Sequence, residues 1–139
     1  MTTAATGVAV DSTGNVYVAD QGNSTIRKVT AGGIVTTLAG SAGTAGSADG
    51  TGAAARFYAP TSVAVDGAGN VYVADQYNST IRKITPSGDT TTVAGMAGVV
   101  GIVLGAAPRF SSPHYLAISG DSLVVSDTNA ILLLRHGVK

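Results

Sequence analysis

One 22-residue string occurs twice in this chain, and few folds accommodate that. Val8 to Val29 reads VAVDSTGNVYVADQGNSTIRKV and Val63 to Ile84 reads VAVDGAGNVYVADQYNSTIRKI, so the copies differ at only four positions. A worn third copy, LAISGDSLVVSDTNAILLL, begins at Leu116. A repeat with a period of about 55 residues points to an array in which each unit buries its apolar faces against its neighbours.

Each unit reads as short β-rich runs separated by tight turns. In the first, strands are expected at Gly7–Asp11, Val16–Ala19, Thr25–Val29 and Ile34–Leu38. Between them stand Ser-Thr-Gly-Asn, Asp-Gln-Gly-Asn and Ala-Gly-Gly, residues that adopt or tolerate positive φ. Four such runs make an antiparallel meander. The second unit repeats the plan at Ser62–Asp66, Val71–Ala74, Thr80–Thr85 and Thr90–Ala94, and the third offers Tyr115–Ile118, Leu123–Ser126 and Ala130–Leu134.

The Gly/Ala/Ser tract after the first unit has the composition of a flexible linker. The repeat argues against that, because GAAARFYAP at 52–60 returns as GAAPRFSSP at 105–113. A featureless linker has no need to return Arg and Phe. Phe57 and Phe110 are therefore expected to plug this loop onto the sheets, with Arg56 and Arg109 holding backbone carbonyls or a nearby Asp. Asp49-Gly50 in the first long loop has no counterpart in the second.

The spacing, the GNVYVAD core and the NSTIRK string downstream resemble the NHL-repeat family, in particular its bacterial members with tandem repeats. The resemblance implies a β-propeller with one four-stranded blade per repeat. The fold class expected is thus all-β, a β-propeller fragment of two four-stranded antiparallel blades plus a partial third. Blade 1 would span about 7–38, a long loop 39–60, blade 2 about 62–94, a second loop 95–113, and the partial blade 115–135. Strands covered on both faces should be nearly continuously apolar, and VYVA at 16–19 and 71–74 is.

Composition removes several functions. Eight basic and eight acidic residues give a formal net charge of zero, without the basic excess that nucleic acid requires. The chain has no Cys, and its acids are all Asp. The longest apolar run, MAGVVGIVLGAA at 96–107, is shorter than the roughly 20 residues of a spanning helix, so no membrane insertion is expected. No signal peptide is visible, although the resemblance implies extracytoplasmic full-length relatives.

In a four-stranded meander the second turn and the long connection share one face. That places Gln21 and Asn23, Gln76, Tyr77 and Asn78, and Asn129 beside the long loops with Arg56 and Arg109. These eight residues are the candidate binding face, since loops on a rigid scaffold carry function. Asp20, Asp75 and Asp127 recur at the ends of second strands. They are expected to accept from backbone N–H groups in their own turns rather than to ligate a metal. Arg27-Lys28 and Arg82-Lys83 should pair with an Asp on an adjacent strand or lie on the surface. The Asn-Ser-Thr sequons at Asn23 and Asn78 belong to the turn.

Only His114 and His136 can act as neutral bases, and both sit in the worn third unit. No Ser-His-Asp order, Glu pair or His cluster is present, so no catalytic residue, metal or cofactor is expected. The function read from the sequence is a non-catalytic scaffold binding protein or carbohydrate through its loop face. The alternative is a fragment of a lactonase-like or lyase-like propeller enzyme with its active-site blades elsewhere. Partners expected on the open faces are further propeller blades or a second copy of the chain.

Overall fold

The computed structural model describes residues 4–101, 108–128 and 130–135. Within them the chain forms three antiparallel sheets in succession. The first contains β1 (Ala5–Val10), β2 (Val16–Asp20), β3 (Thr25–Val29) and β4 (Val35–Gly40), paired in chain order. The second contains β6 (Pro60–Val65), β7 (Val71–Asp75), β8 (Thr80–Ile84) and β9 (Asp89–Gly95). It gains a fifth strand, β5 (Gly50–Thr51), which leaves the long loop to pair with the outer edge of β9. The third contains β10 (Tyr115–Ser119), β11 (Ser122–Asp127) and β12 (Ala130–Arg135).

The first strands β1, β6 and β10 lie side by side, one per sheet. They approach so closely that a Cβ on Gly7 would stand 2.8 Å from Ser62 Cα and Thr61 O. Ser62, in the equivalent place one repeat on, turns the same contact into a hydrogen bond, its Oγ accepting from the Leu116 N–H at 3.1 Å. The core fills the two spaces between sheets. Tyr17, Ala19 and Ile26 of the first sheet pack with Val63, Val71, Val73 and Ile84 of the second, and Phe57 joins them from the loop. Tyr72, Ala74 and Ile81 on the second sheet's other face pack with Leu123, Val125 and Phe110. Both faces of the second sheet are thus buried, which is why its strands are apolar at successive positions.

The long loop is not a linker. Phe57 and Phe110 are both fully buried, each in one of the two inter-sheet cores, as their recurrence implies. Each lies against a glycine at the end of a fourth strand: Phe57 is 3.2 Å from a notional Cβ on Gly40, and Phe110 3.1 Å from one on Gly95. Those glycines have φ of +96° and +87°, and a side chain there would also collide with the carbonyl oxygens of Ser24 and Ser79. Glycine is required by conformation and by space together.

Candidate functional site

The second turns expected from sequence are single 3-10 turns, Gln21–Asn23 and Gln76–Asn78, each closed by a left-handed serine, Ser24 at φ 56° and Ser79 at φ 57°. They dock onto the long loops by backbone and side-chain bonds. The Gly43 N–H donates to Asn23 O at 3.0 Å, the Tyr77 N–H to Tyr58 O at 3.1 Å, and Ser79 Oγ to Ser111 O at 2.9 Å. Turn and loop therefore form one continuous surface.

The carboxylates at the ends of second strands correct the sequence reading. Asp75 and Asp127 do not merely close their own turns; they hold the loop arriving from the preceding sheet, whereas Asp20 receives the Asn23 side chain of its own turn. Asp75 Oδ1 accepts from the Tyr58 N–H at 2.8 Å, and Asp127 accepts from the Ser111 and Ser112 N–H groups, both at 2.7 Å. Only Asp127 also takes a backbone N–H of its own turn, from Thr128. The reason is geometric. The strand end points at a loop whose buried amides have no ladder partner, and an anion there satisfies them.

Asp75 also anchors a buried arginine. Arg82 is fully buried, with Nη1 at 3.0 Å from Asp75 Oδ2 and Nη2 at 2.8 Å from Asp49 Oδ1. The same nitrogens donate to the carbonyls of Arg56 at 2.7 Å and Ala48 at 2.9 Å, and the guanidinium stands 5.0 Å from the Phe57 ring centroid. Pairing with an Asp on the adjacent strand was expected, and the loop aspartate completes it. Burial pushes the Asp75 carboxyl up to about 6, against the opposing bonds from Asn78, the Tyr58 amide and Arg82. Burial also acts to raise Asp127, but the amides of Ser112, Thr128 and Ser111 outweigh it and hold that carboxyl below its ordinary value.

The expected face residues divide by role. Tyr77 is 60% exposed and packs edge-on against Tyr58, with centroids 5.1 Å apart and planes at 69°. Gln76 is half-buried, its Nε2 2.9 Å from Ser112 Oγ and 3.1 Å from His114 Nε2. Gln21 is held through its N–H to Ala4 O at 2.8 Å. Asn78 is buried and its amide donates to Gly46 O and Asp75 Oδ2, both at 2.7 Å, while Asn23 donates to Asp20 Oδ2 at 3.0 Å. These two asparagines brace the face from below, and the sequon at Asn78 offers no free amide. Arg56 donates to the Ala53 and Ala55 carbonyls. Arg109 is half-buried beside Thr92 and Met96 at a shallow depression on the second sheet's outer strand. Asn129 and His136 lie outside the described residues.

Sequence reasoning missed Tyr58, one of three positions, with Ala55/Pro108 and Ala59/Ser112, at which the two recurring loop strings differ. It also missed Asp11 and Asp66, which close the first turns at the opposite end of the strands. Asp11 accepts from the Asn15 side chain at 2.8 Å and from the Thr13 and Asn15 amides, and these bonds hold its carboxyl well below the usual range. Tyr17, buried and bonded to Asp11, is pushed up to about 12. The D-x-x-G-N-x-Y spacing, present in both copies, carried that signal. Among the described residues no group of three or more His, Cys, Asp or Glu side chains could hold a metal ion, and no helix is long and apolar enough to cross a membrane.

Comparisons with known proteins agree with this architecture. The NHL repeat model matches residues 3–29 and 57–84. No curated protein sequence matches. A structural-genomics protein of unknown function from Bacteroides thetaiotaomicron superposes with TM-score 0.77 at 28% identity, covering 85% of this chain and 31% of its own. An auxiliary nutrient binding protein from the same organism gives 0.73 at 22%, with 86% and 34% covered. Virginiamycin B lyase from Staphylococcus aureus, in a catalytically inactive form, gives 0.57 at 15%, with 99% and 54% covered. The chain thus spans about a third of the length of the first two, and these likenesses are to proteins of propeller type. The three sheets are successive blades of a β-propeller fragment, and residues 3–29 and 57–84 of it are NHL repeats.

Proposed function

We propose that the chain is a non-catalytic binding scaffold that takes a protein or carbohydrate ligand on the face built from its 3-10 turns and long loops. The observation behind this is the rigidity of that face. Gln76, Tyr77 and their neighbours stand on turns bonded to loops that are themselves pinned by Phe57, Phe110 and the Asp75–Arg82–Asp49 cluster. Side chains held this way lose little entropy on binding. Further blades, or a second copy of the chain, would cover the open faces, where Val8 is 67% and Ile131 73% exposed. The neighbours described as nutrient-binding share this fold, and at their identity they support no more than that.

The test is a screen of the chain on glycan and peptide arrays, with two substitutions compared on every hit. Gln76→Lys, on the loop face, should abolish binding, and Ala68→Lys, in the first turn at the other end of the strands, should leave it intact. A ligand lost with Ala68→Lys and kept with Gln76→Lys would overturn the proposal, as would arrays on which nothing binds.

A further inference from the structure

The two copies of the repeat differ at Ser12/Gly67 and Thr13/Ala68 in the first turn, at Val29/Ile84, and at Gly22/Tyr77. The first two lie in an exposed turn, and the third keeps an aliphatic side chain. Gly22/Tyr77 is the one change that places a large ring where its sister has none. The two long loops behave alike, since Tyr58 stands where the second loop has Ser111.

The fold requires neither ring. The turn carrying Gly22 has the geometry of the turn carrying Tyr77, with closing serines at φ 56° and 57°. The Ser111 N–H reaches Asp127 at 2.7 Å just as the Tyr58 N–H reaches Asp75 at 2.8 Å. Yet these two independent divergences meet in space, as the edge-on pair already described. Both rings face solvent, Tyr58 46% and Tyr77 60% exposed, so neither was placed there for the core.

The pair is also held in position. The Tyr77 N–H bonds to Tyr58 O at 3.1 Å. The next residue, Ala59, has φ 53° and donates its N–H to Ser24 Oγ at 3.3 Å. A left-handed alanine is strained, and such strain concentrates where a side chain must be aimed.

We propose that Tyr58 and Tyr77 form a carbohydrate-binding platform on the loop face; this deepens the scaffold reading above and rests on it. Two rigid phenol rings offer apolar area at little entropic cost, with hydroxyl tips that both donate and accept. A sugar ring presents the matching pattern, an apolar C–H face edged by hydroxyls. The polar groups beside Tyr77 are hydrogen-bonding ones, with no carboxylate, Lys or Arg among them: the Gln76 amide and, bonded to it, Ser112 Oγ and His114 Nε2. The charges beneath are already spent, because Asp75 is buried against Arg82. That combination favours a neutral polyhydroxyl over an ion. A protein partner would need about 800 Å² of contact per side around a central apolar anchor, whereas the sequence neighbours of these rings are Gln76, Asn78, Ala59 and Phe57, the last fully buried and no part of the surface.

The chain has five Tyr and no Trp, and two of the five are the platform rings, so tyrosine fluorescence responds to binding there. The 139-residue chain is titrated with cellohexaose, xylohexaose, laminarihexaose, mannohexaose and maltohexaose. Saturable binding of at least one is expected. Tyr77→Gly and Tyr58→Ser, each importing the sister copy's residue, should weaken it by about tenfold, the scale of one aromatic contact, without moving the urea midpoint. Failure of all five sugars to bind, or binding that survives both substitutions, overturns the platform. If a peptide hit is lost with Gln76→Lys but kept with Tyr77→Gly, the scaffold stands and the platform falls. If neither sugar nor peptide binds, both fall.

Discussion

The first and second copies of the repeat have nearly one sequence and two very different environments. Arg82 is fully buried with four acceptors on its two terminal nitrogens. Arg27, in the same place one repeat earlier, is only half-buried, and the Nε of neither arginine has a partner among the described residues. Asp75 has both oxygens engaged, while Asp20 keeps a buried Oδ1 without a described partner. Val63 is 4% exposed and Val8 67%. The second copy has a long loop arriving before it and a sheet on each side. Among the described residues the first has neither an incoming loop nor a preceding sheet. An NHL repeat is therefore half of a structure. Its charged residues are placed to receive a loop, and its first-strand valines to receive a face.

The comparison breaks most clearly at the arginines. Arg82→Ala strands Asp75 as a buried charge and should cost about 3–5 kcal/mol, whereas Arg27→Ala should cost about 1 kcal/mol or less. Paired urea denaturations check this, and equal losses would mean that the incoming loop does not set the difference. Phe57→Ala and Phe110→Ala each empty an inter-sheet space and should cost about 3–5 kcal/mol. A loss within about 0.5 kcal/mol for either, in the same experiment, would make its loop the linker its composition suggests.

Smaller effects sharpen the contrast between the second and third sheets. Asp75 titrates above its unfolded value, so its contribution to stability is complete below pH of about 4 and is lost as pH rises through about 6. Asp127 is shifted the other way, so its contribution is present above about 4 and is lost as pH falls through its lowered folded value. Thermal melts should show Asp75→Asn flattening the dependence between about pH 4 and 6 and Asp127→Asn flattening that below about pH 4. A swap of the two windows would refute the assignment. Last, the exposed Val8, Val10, Ile131 and Leu133 should make light-scattering mass rise with concentration, and Val8→Lys should reduce the rise. A constant single-chain mass would show that the open faces do not associate.

Much of this was legible because a repeat is its own comparison. The recurrence of Arg-Phe turned a Gly/Ala tract into two core plugs, and the VYVAD strings placed β2 and β7 to within a residue. What the sequence hid was contact between non-equivalent parts. Asp49 stood out as a residue without a counterpart, but nothing local said that it reaches Arg82, 33 residues on. Nor did Asp75 and Asp127 announce that they hold a loop, since a capping aspartate and a loop-holding aspartate look alike in one dimension. Tyr58 carries no signal in the shared pattern, because it stands where the copies differ, as does its partner Tyr77 in the platform proposed above.

Amide hydrogen exchange on the wild-type chain tests the central claim, that the incoming loop and the flanking sheets rather than the repeat sequence protect the buried charges. Peptides covering Ile26 to Lys28 and Ile81 to Lys83 carry the same residues, Ile-Arg-Lys, in the two copies. The account predicts that the second exchanges far more slowly, with Arg82→Ala erasing most of the gap. Equal protection of the two peptides in the wild-type chain would contradict it.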